Sequence, residues 1–97
     1  MKHSIWLDAE EYRILTRNFL ISMVCAKQLQ TAVEYDDGFE LLLSAKELDD
    51  LTGYVAAEAN HARSAKQSRI LNEICDRMEG AISDIRRQAR SEPDSED

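Results

Sequence analysis

The stretch Leu41-Leu42-Leu43-Ser44-Ala45-Lys46-Glu47-Leu48-Asp49-Asp50-Leu51 turns from a short apolar run into a helix at one marked residue. Ser44 is placed to accept a hydrogen bond from the backbone N–H of Glu47, the Glu47 carboxylate to accept one from the N–H of Ser44, and Leu43 to pack on Leu48. This capping box with a hydrophobic staple predicts a helix starting at Ser44. The same grammar recurs near the beginning, where Ile5-Trp6-Leu7 precedes Asp8, Glu11 stands three residues later, and Tyr12 can meet Leu7. Two helix starts are thereby marked by side-chain chemistry alone.

From Asp8 to about Gln30, the apolar residues Tyr12, Leu15, Phe19, Met23, Ala26 and Leu29 recur at three- and four-residue steps, which predicts one helix. Between Phe19 and Ala26 the apolar character runs nearly all the way round, so the middle of that helix is expected to be covered on several sides. Thr31 to Leu43 reads differently. Thr31, Val33 and Tyr35 favour strands, Asp36-Asp37-Gly38 is a turn signal, and Phe39, Leu41 and Leu43 alternate with Glu40 and Leu42. A small hairpin is expected; the competing reading continues the first helix to Tyr35 and makes residues 36–38 a loop. A lone hairpin is marginal in water, so it must lie on the helices or pair with Ser4-Ile5-Trp6-Leu7. Those four residues form either a brief strand or a lead-in whose Trp6 covers the core.

The second helix runs from Ser44 to about His61, with Leu48, Leu51, Val55, Ala59 and Ala62 on one side. Gly53 inside it costs about 1 kcal/mol relative to Ala if exposed, and is expected to mark a close contact. Asn60 to Ser64 is the expected turn, with Ser64 capping a third helix, although neither Gly nor Pro enforces the break and one long kinked helix is the alternative. The third helix carries Leu71, Ile74, Met78, Ala81 or Ile82, and Ile85 at coiled-coil-like spacing. Arg86, Arg87 and Arg90 complement the negative end of its dipole. The expected fold is mainly α: a three-helix bundle with a long C-terminal helix and a possible small β-hairpin between helices one and two. Residues 1–90 form a single helical domain and 91–97 a disordered acidic tail.

Composition narrows the function classes. At 97 residues with 43% hydrophobic side chains, three Gly and one Pro, the chain suits a single helical domain. The net charge of −7 argues against non-specific attachment to nucleic acid or anionic membrane. It is unevenly spread: residues 1–60 are strongly acidic, 61–90 carry an excess of basic side chains, and 91–97 are acidic again. Cys25 and Cys75 sit among apolar neighbours and are expected to be small core residues. The longest apolar run, Phe19 to Ala26, is far short of the ~20 residues that span a bilayer. With no signal peptide expected, the cytoplasm is the expected location and no membrane partner is expected.

The third helix, if it spans Ser64 to Arg90, is about 40 Å long, whereas a compact chain of this size has a radius of gyration near ~12.5 Å. Its seam is therefore expected to be partly uncovered, and together with the all-round apolar middle of the first helix this predicts a two-fold homodimer.

Glu58 and His61 form Glu-x-x-His, a spacing used by di-iron bundles, but His3 is the only other histidine and the nearest echo, Glu73 to Asp76, lacks the imidazole. Arg63, Lys66 and Arg69 lie three apart at the start of the third helix, the arrangement of a DNA-reading helix-turn-helix. Tyr54, Glu58 and His61 share a flank that could line a shallow groove. No activating neighbour can be assigned to either cysteine from spacing. The expectation is a non-enzymatic protein-interaction or regulatory module acting as a homodimer, with no catalytic, cofactor-binding or metal residues and no cofactor. A small DNA-binding regulator is the alternative and a metal-binding helical bundle the third reading.

Overall fold

The computed structural model describes residues 2–91, the side chains of 89–91 excepted. Its elements in chain order are β1 (His3–Asp8), α1 (Ala9–Arg17), α2 (Phe19–Val24), α3 (Ala26–Gln30), β2 (Val33–Tyr35), β3 (Gly38–Leu43), α4 (Ala45–Asn60) and α5 (Ala65–Ser91). The expected mainly helical content and long C-terminal helix are present, but the three-helix bundle is replaced by helices packed on a three-stranded sheet. The cause lies in the lead-in. It is a six-residue strand that pairs antiparallel with β3, His3 opposite Leu43 through Asp8 opposite Gly38, while β2 pairs with the other edge of β3. The sheet order is therefore β1-β3-β2, and its central strand holds the alternating Phe39, Leu41 and Leu43.

Both capping boxes form. Asp8 accepts from Glu11 N at 2.8 Å and Glu11 accepts from Asp8 N at 3.0 Å, while Ser44 and Glu47 exchange bonds of 3.1 and 2.8 Å. Each box converts a strand into a helix without an intervening loop, so β1 leads into α1 and β3 into α4. Ser64 caps α5 through Gln67 N at 3.1 Å, which makes α4 and α5 separate helices. They run antiparallel: Ser68 Oγ donates to the Ala59 carbonyl at one end, and Ala45 faces Ile85 across a groove at the other. Gly53 has no neighbour within 4 Å of a side chain built there, so it marks no close contact.

The single helix expected from Asp8 to Gln30 is three short ones. Asn18 ends the first and begins the second: its N–H donates to the carbonyls of Ile14 and Leu15, and its side-chain oxygen accepts from Ile21 N at 2.9 Å. Its amide donates to Glu58 Oε1 at 2.8 Å, tying the break to α4. The second break falls at Cys25. Because Asn18 leaves the helical backbone, the buried side shifts, so Leu15, Ile21, Cys25 and Leu29 point inward and Phe19 and Met23 outward. An unbroken helix would have buried Phe19 and Met23 with Leu15 and Leu29.

One core joins the inner sheet face to the helices. Ile5, Leu7, Leu41 and Leu43 cluster with Leu15, Ile21, Leu48, Leu51, Val55, Leu71, Ile74 and Met78. The seam of α5 is sheltered within the protomer through Met78, and Ala81, Ile82 and Ile85 beyond it are half-buried. The molecule measures 51 × 28 × 23 Å, the long dimension following from a 27-residue α5. Of the acidic end expected to be disordered, Ser91 closes α5; residues 92–97 and the Arg90 side chain lie outside the described residues.

Candidate functional site

The residues expected to carry metal or DNA chemistry are not brought together. Glu58 is turned toward α2 by its bond from Asn18, whereas His61 caps the exposed C-terminus of α4. Among the described residues no group of three or more His, Cys, Asp or Glu side chains is placed to hold a metal ion. Lys66 pairs with Glu10 at 3.5 Å, Arg63 and Arg69 are exposed, and α4 and α5 lie side by side rather than crossing as in a helix-turn-helix. Cys25 and Cys75 are buried. Burial pushes the Cys75 thiol up to about 11, with Glu79 adding to the effect, and burial followed by the charge of Asp50 raises Cys25. Both therefore remain protonated thiols at neutral pH and are poor nucleophiles.

Among the described residues the one buried charge has a structural task. Glu11 is 5% exposed and takes a bidentate bond from Arg77 at 2.7 and 3.0 Å. The same guanidinium donates to the Trp6 carbonyl at 3.0 Å, so α5 is fastened to β1 and part of the outer edge of that strand is closed. Such charge-assisted forks are strong because both partners are fixed in plane. Spacing alone gave no hint of this pair, since its partners are separated by most of the chain.

The first open surface is apolar. On α2, Phe19 is 76% and Met23 59% exposed, with Val24 exposed and Leu20 half-buried beside them. Successive residues on a helix are turned by about 100°, so these four occupy one face while Ile21 and Cys25 occupy the other. No charged residue lies between Asn18 and Ala26; Arg17 and Lys27 stand at the two ends.

The second open surface is the sheet face turned away from the helices. Alternation along the strands puts Ser4 and Trp6, Glu40 and Leu42, and Val33 and Tyr35 on it. Trp6 and Tyr35 meet with ring centroids 5.8 Å apart, a tilted pair. Gly38 lies beneath the indole, where a side-chain Cβ would stand only 2.5 Å from Trp6 Cζ2. Glu40 sits opposite both Trp6 and Val33. Its carboxylate accepts from the Tyr35 hydroxyl at 3.1 Å and from the Ser4 hydroxyl. The bond to Glu40, and that carboxylate's charge, raise the Tyr35 phenol above its ordinary value. Trp6 is thus not a cover for the core, as its apolar character suggested, but part of an exposed aromatic pair.

A third feature is an open groove of about 540 Å³ between α4 and α5, lined by Asp49, Glu79, Ile82 and Arg86 among others. It contains neither His nor Cys. Among the described residues no helix is long and apolar enough to cross a membrane. No family model, curated protein or solved structure matches the chain.

Proposed function

We propose that the protein is a non-enzymatic interaction module that pairs with a second copy of itself through the α2 face. The observation that carries this reading is Phe19, 76% exposed on a helix whose outer face has no charge. Folding gains nothing from leaving such a side chain in water, and burying it against a partner recovers on the order of 2 kcal/mol. Four side chains of this kind form a patch on the order of 400 Å², a size at which exposed apolar surface is often functional. Two copies burying it, with the stems of the flanking residues, approach the low end of specific interfaces, about 1,000 Å² in total. The pair is therefore a weak, concentration-dependent dimer. Arg17 and Lys27 bracket the face, so cation meets cation whether the two helices pack parallel or antiparallel. Added salt strengthens the pairing by screening that repulsion.

Sedimentation velocity from low micromolar to near-millimolar concentration tests this. The expected result is a monomer shifting to dimer, at lower concentration in higher salt, and a Phe19→Glu variant that stays monomeric with an unchanged melting temperature. A wild-type protein monomeric throughout removes the reading. Nothing in the arrangement favours the DNA-binding or metal-binding alternatives as a second reading.

A further inference from the structure

We propose that the outer face of the sheet is a docking site for an arginine-bearing extended segment of a partner protein, with the guanidinium received by Glu40 beside the Trp6–Tyr35 pair. This surface lies on a different element from the α2 face and does not depend on the pairing through it.

Three observations converge. The first is the state of the carboxylate. Glu40 is half-buried and held by two hydroxyls, from Tyr35 at 3.1 Å and from Ser4. Each carboxylate oxygen has two acceptor sites, so both retain room for a planar donor. No cation fills it. Among the described side chains Glu40 has no ion pair, and from Gln28 to Ala45 the sequence contains no Lys or Arg, while Glu34, Asp36, Asp37 and Glu40 lie within it. The charge complement must come from elsewhere.

The second is the flank. Trp6 and Tyr35 are both exposed and their rings are in contact. Guanidinium stacks on aromatic faces and forks onto carboxylates, which lysine does less well. Gly38 is required for this arrangement, because any larger residue collides with the indole.

The third is the edge. On β1 the Arg77 guanidinium occupies the Trp6 carbonyl and Glu11 the Asp8 amide. On the opposite side β2 pairs only with β3, and Val33, Glu34 and Tyr35 are all exposed. An open strand edge is where an extended peptide adds main-chain hydrogen bonds. A strand laid there has side chains on the outer face, about 10 Å from β3, within reach of an arginine extending over Val33 toward a glutamate that leans to meet Tyr35.

Trp6 is the only tryptophan, so its fluorescence reports the site directly. The probes are acetyl-Thr-Val-Arg-Val-Thr-amide, the same peptide with citrulline for arginine, and arginine amide alone. The arginine peptide is expected to change the Trp6 emission saturably. The citrulline peptide and arginine amide are each expected to bind at least about tenfold more weakly, as loss of a charged or main-chain contribution predicts. A Glu40→Gln variant, which keeps the shape and can meet both hydroxyls by accepting from one through its oxygen and donating to the other through its NH2, is expected to lose about tenfold toward the arginine peptide only, with an unchanged circular-dichroism melt. Equal binding of arginine and citrulline peptides, or of Glu40→Gln and wild type, overturns the proposal, as does an arginine peptide that fails to saturate by low millimolar concentration. Arginine amide binding as tightly as the peptide overturns the strand-edge part. The Phe19→Glu variant is expected to bind the arginine peptide as wild type does, so failure here is distinguishable from failure of the α2 pairing.

Discussion

Leu41 and Leu43 are fully buried, and Leu42 between them is 38% exposed. The two faces of one sheet thus sort three identical residues into two different tasks. Inward, Ile5, Leu7, Leu41 and Leu43 close on the helices, where each fully buried aliphatic side chain contributes about 1.5–3 kcal/mol. Outward, Trp6, Tyr35 and Leu42 remain 38–49% exposed around Glu40 and contribute less to folding than their inward neighbours. The difference teaches that exposed apolar character in this chain is positioned rather than left over. The inner face is explained by the core it completes. The outer face has no such explanation, and that is why it is read as a contact surface.

The largest effect that can break this comparison comes from truncating one leucine on each face. Leu41→Ala is expected to cost about 3 kcal/mol, because the cavity is lined by atoms that relax only in part. Leu42→Ala, at a side chain 38% exposed, is expected to cost only about 1 kcal/mol. Urea unfolding of both variants measures the contrast. Similar losses at 41 and 42 would mean that the outer face also belongs to the core.

Gly38 connects the two faces, since a Cβ there would meet the Leu7 carbonyl oxygen at 2.5 Å as well as the Trp6 ring. The indole can swing away, but the backbone oxygen cannot without moving β1 from β3. Gly38→Ala is therefore expected to cost about 1–3 kcal/mol, the range of overpacked sites, and to change the Trp6 emission even in the folded state. A neutral variant with unaltered emission would show that Trp6 is held in place by something other than the glycine.

The parts of the fold that were legible in the sequence are those encoded within four residues. Asp8 with Glu11, Ser44 with Glu47, the Asp36-Asp37 turn and the Ser64 cap each carry their chemistry in neighbouring side chains, and each forms. What was not legible depends on partners far along the chain. Asn18 breaks the first helix with neither Gly nor Pro, and its amide is claimed by Glu58, forty positions away. Periodicity counted across that break put Phe19 and Met23 on the inner face with Leu15, and one non-helical residue was enough to reverse them. The candidate site was hidden for the same reason. Trp6, Glu40 and Tyr35 become neighbours only through the β1-β3-β2 register, so the one local signal was a hairpin with four acids and no base.

The smallest expected effect isolates Tyr35. In the fold its phenol is raised by the hydrogen bond to Glu40 and by that carboxylate's charge, both of which favour the protonated form. A group whose value is raised on folding contributes stability below its unfolded value and loses that contribution as pH rises through the folded one. The stabilisation is therefore present at neutral pH and disappears only in alkali. Tyr35 is exposed, so solvent screens the contact and the spectroscopic midpoint is a better readout than the melting temperature. Phenolate absorbance, followed over the pH range in which far-ultraviolet circular dichroism stays constant, is expected to show one tyrosine titrating at lower pH in Glu40→Gln than in wild type. Neutral glutamine keeps an acceptor for the hydroxyl but removes the charge, so the direction of the change follows from electrostatics alone. Identical titration curves would mean that Tyr35 and Glu40 do not hold one another in solution, and the carboxylate beside the aromatic pair would lose one of its two hydroxyl supports.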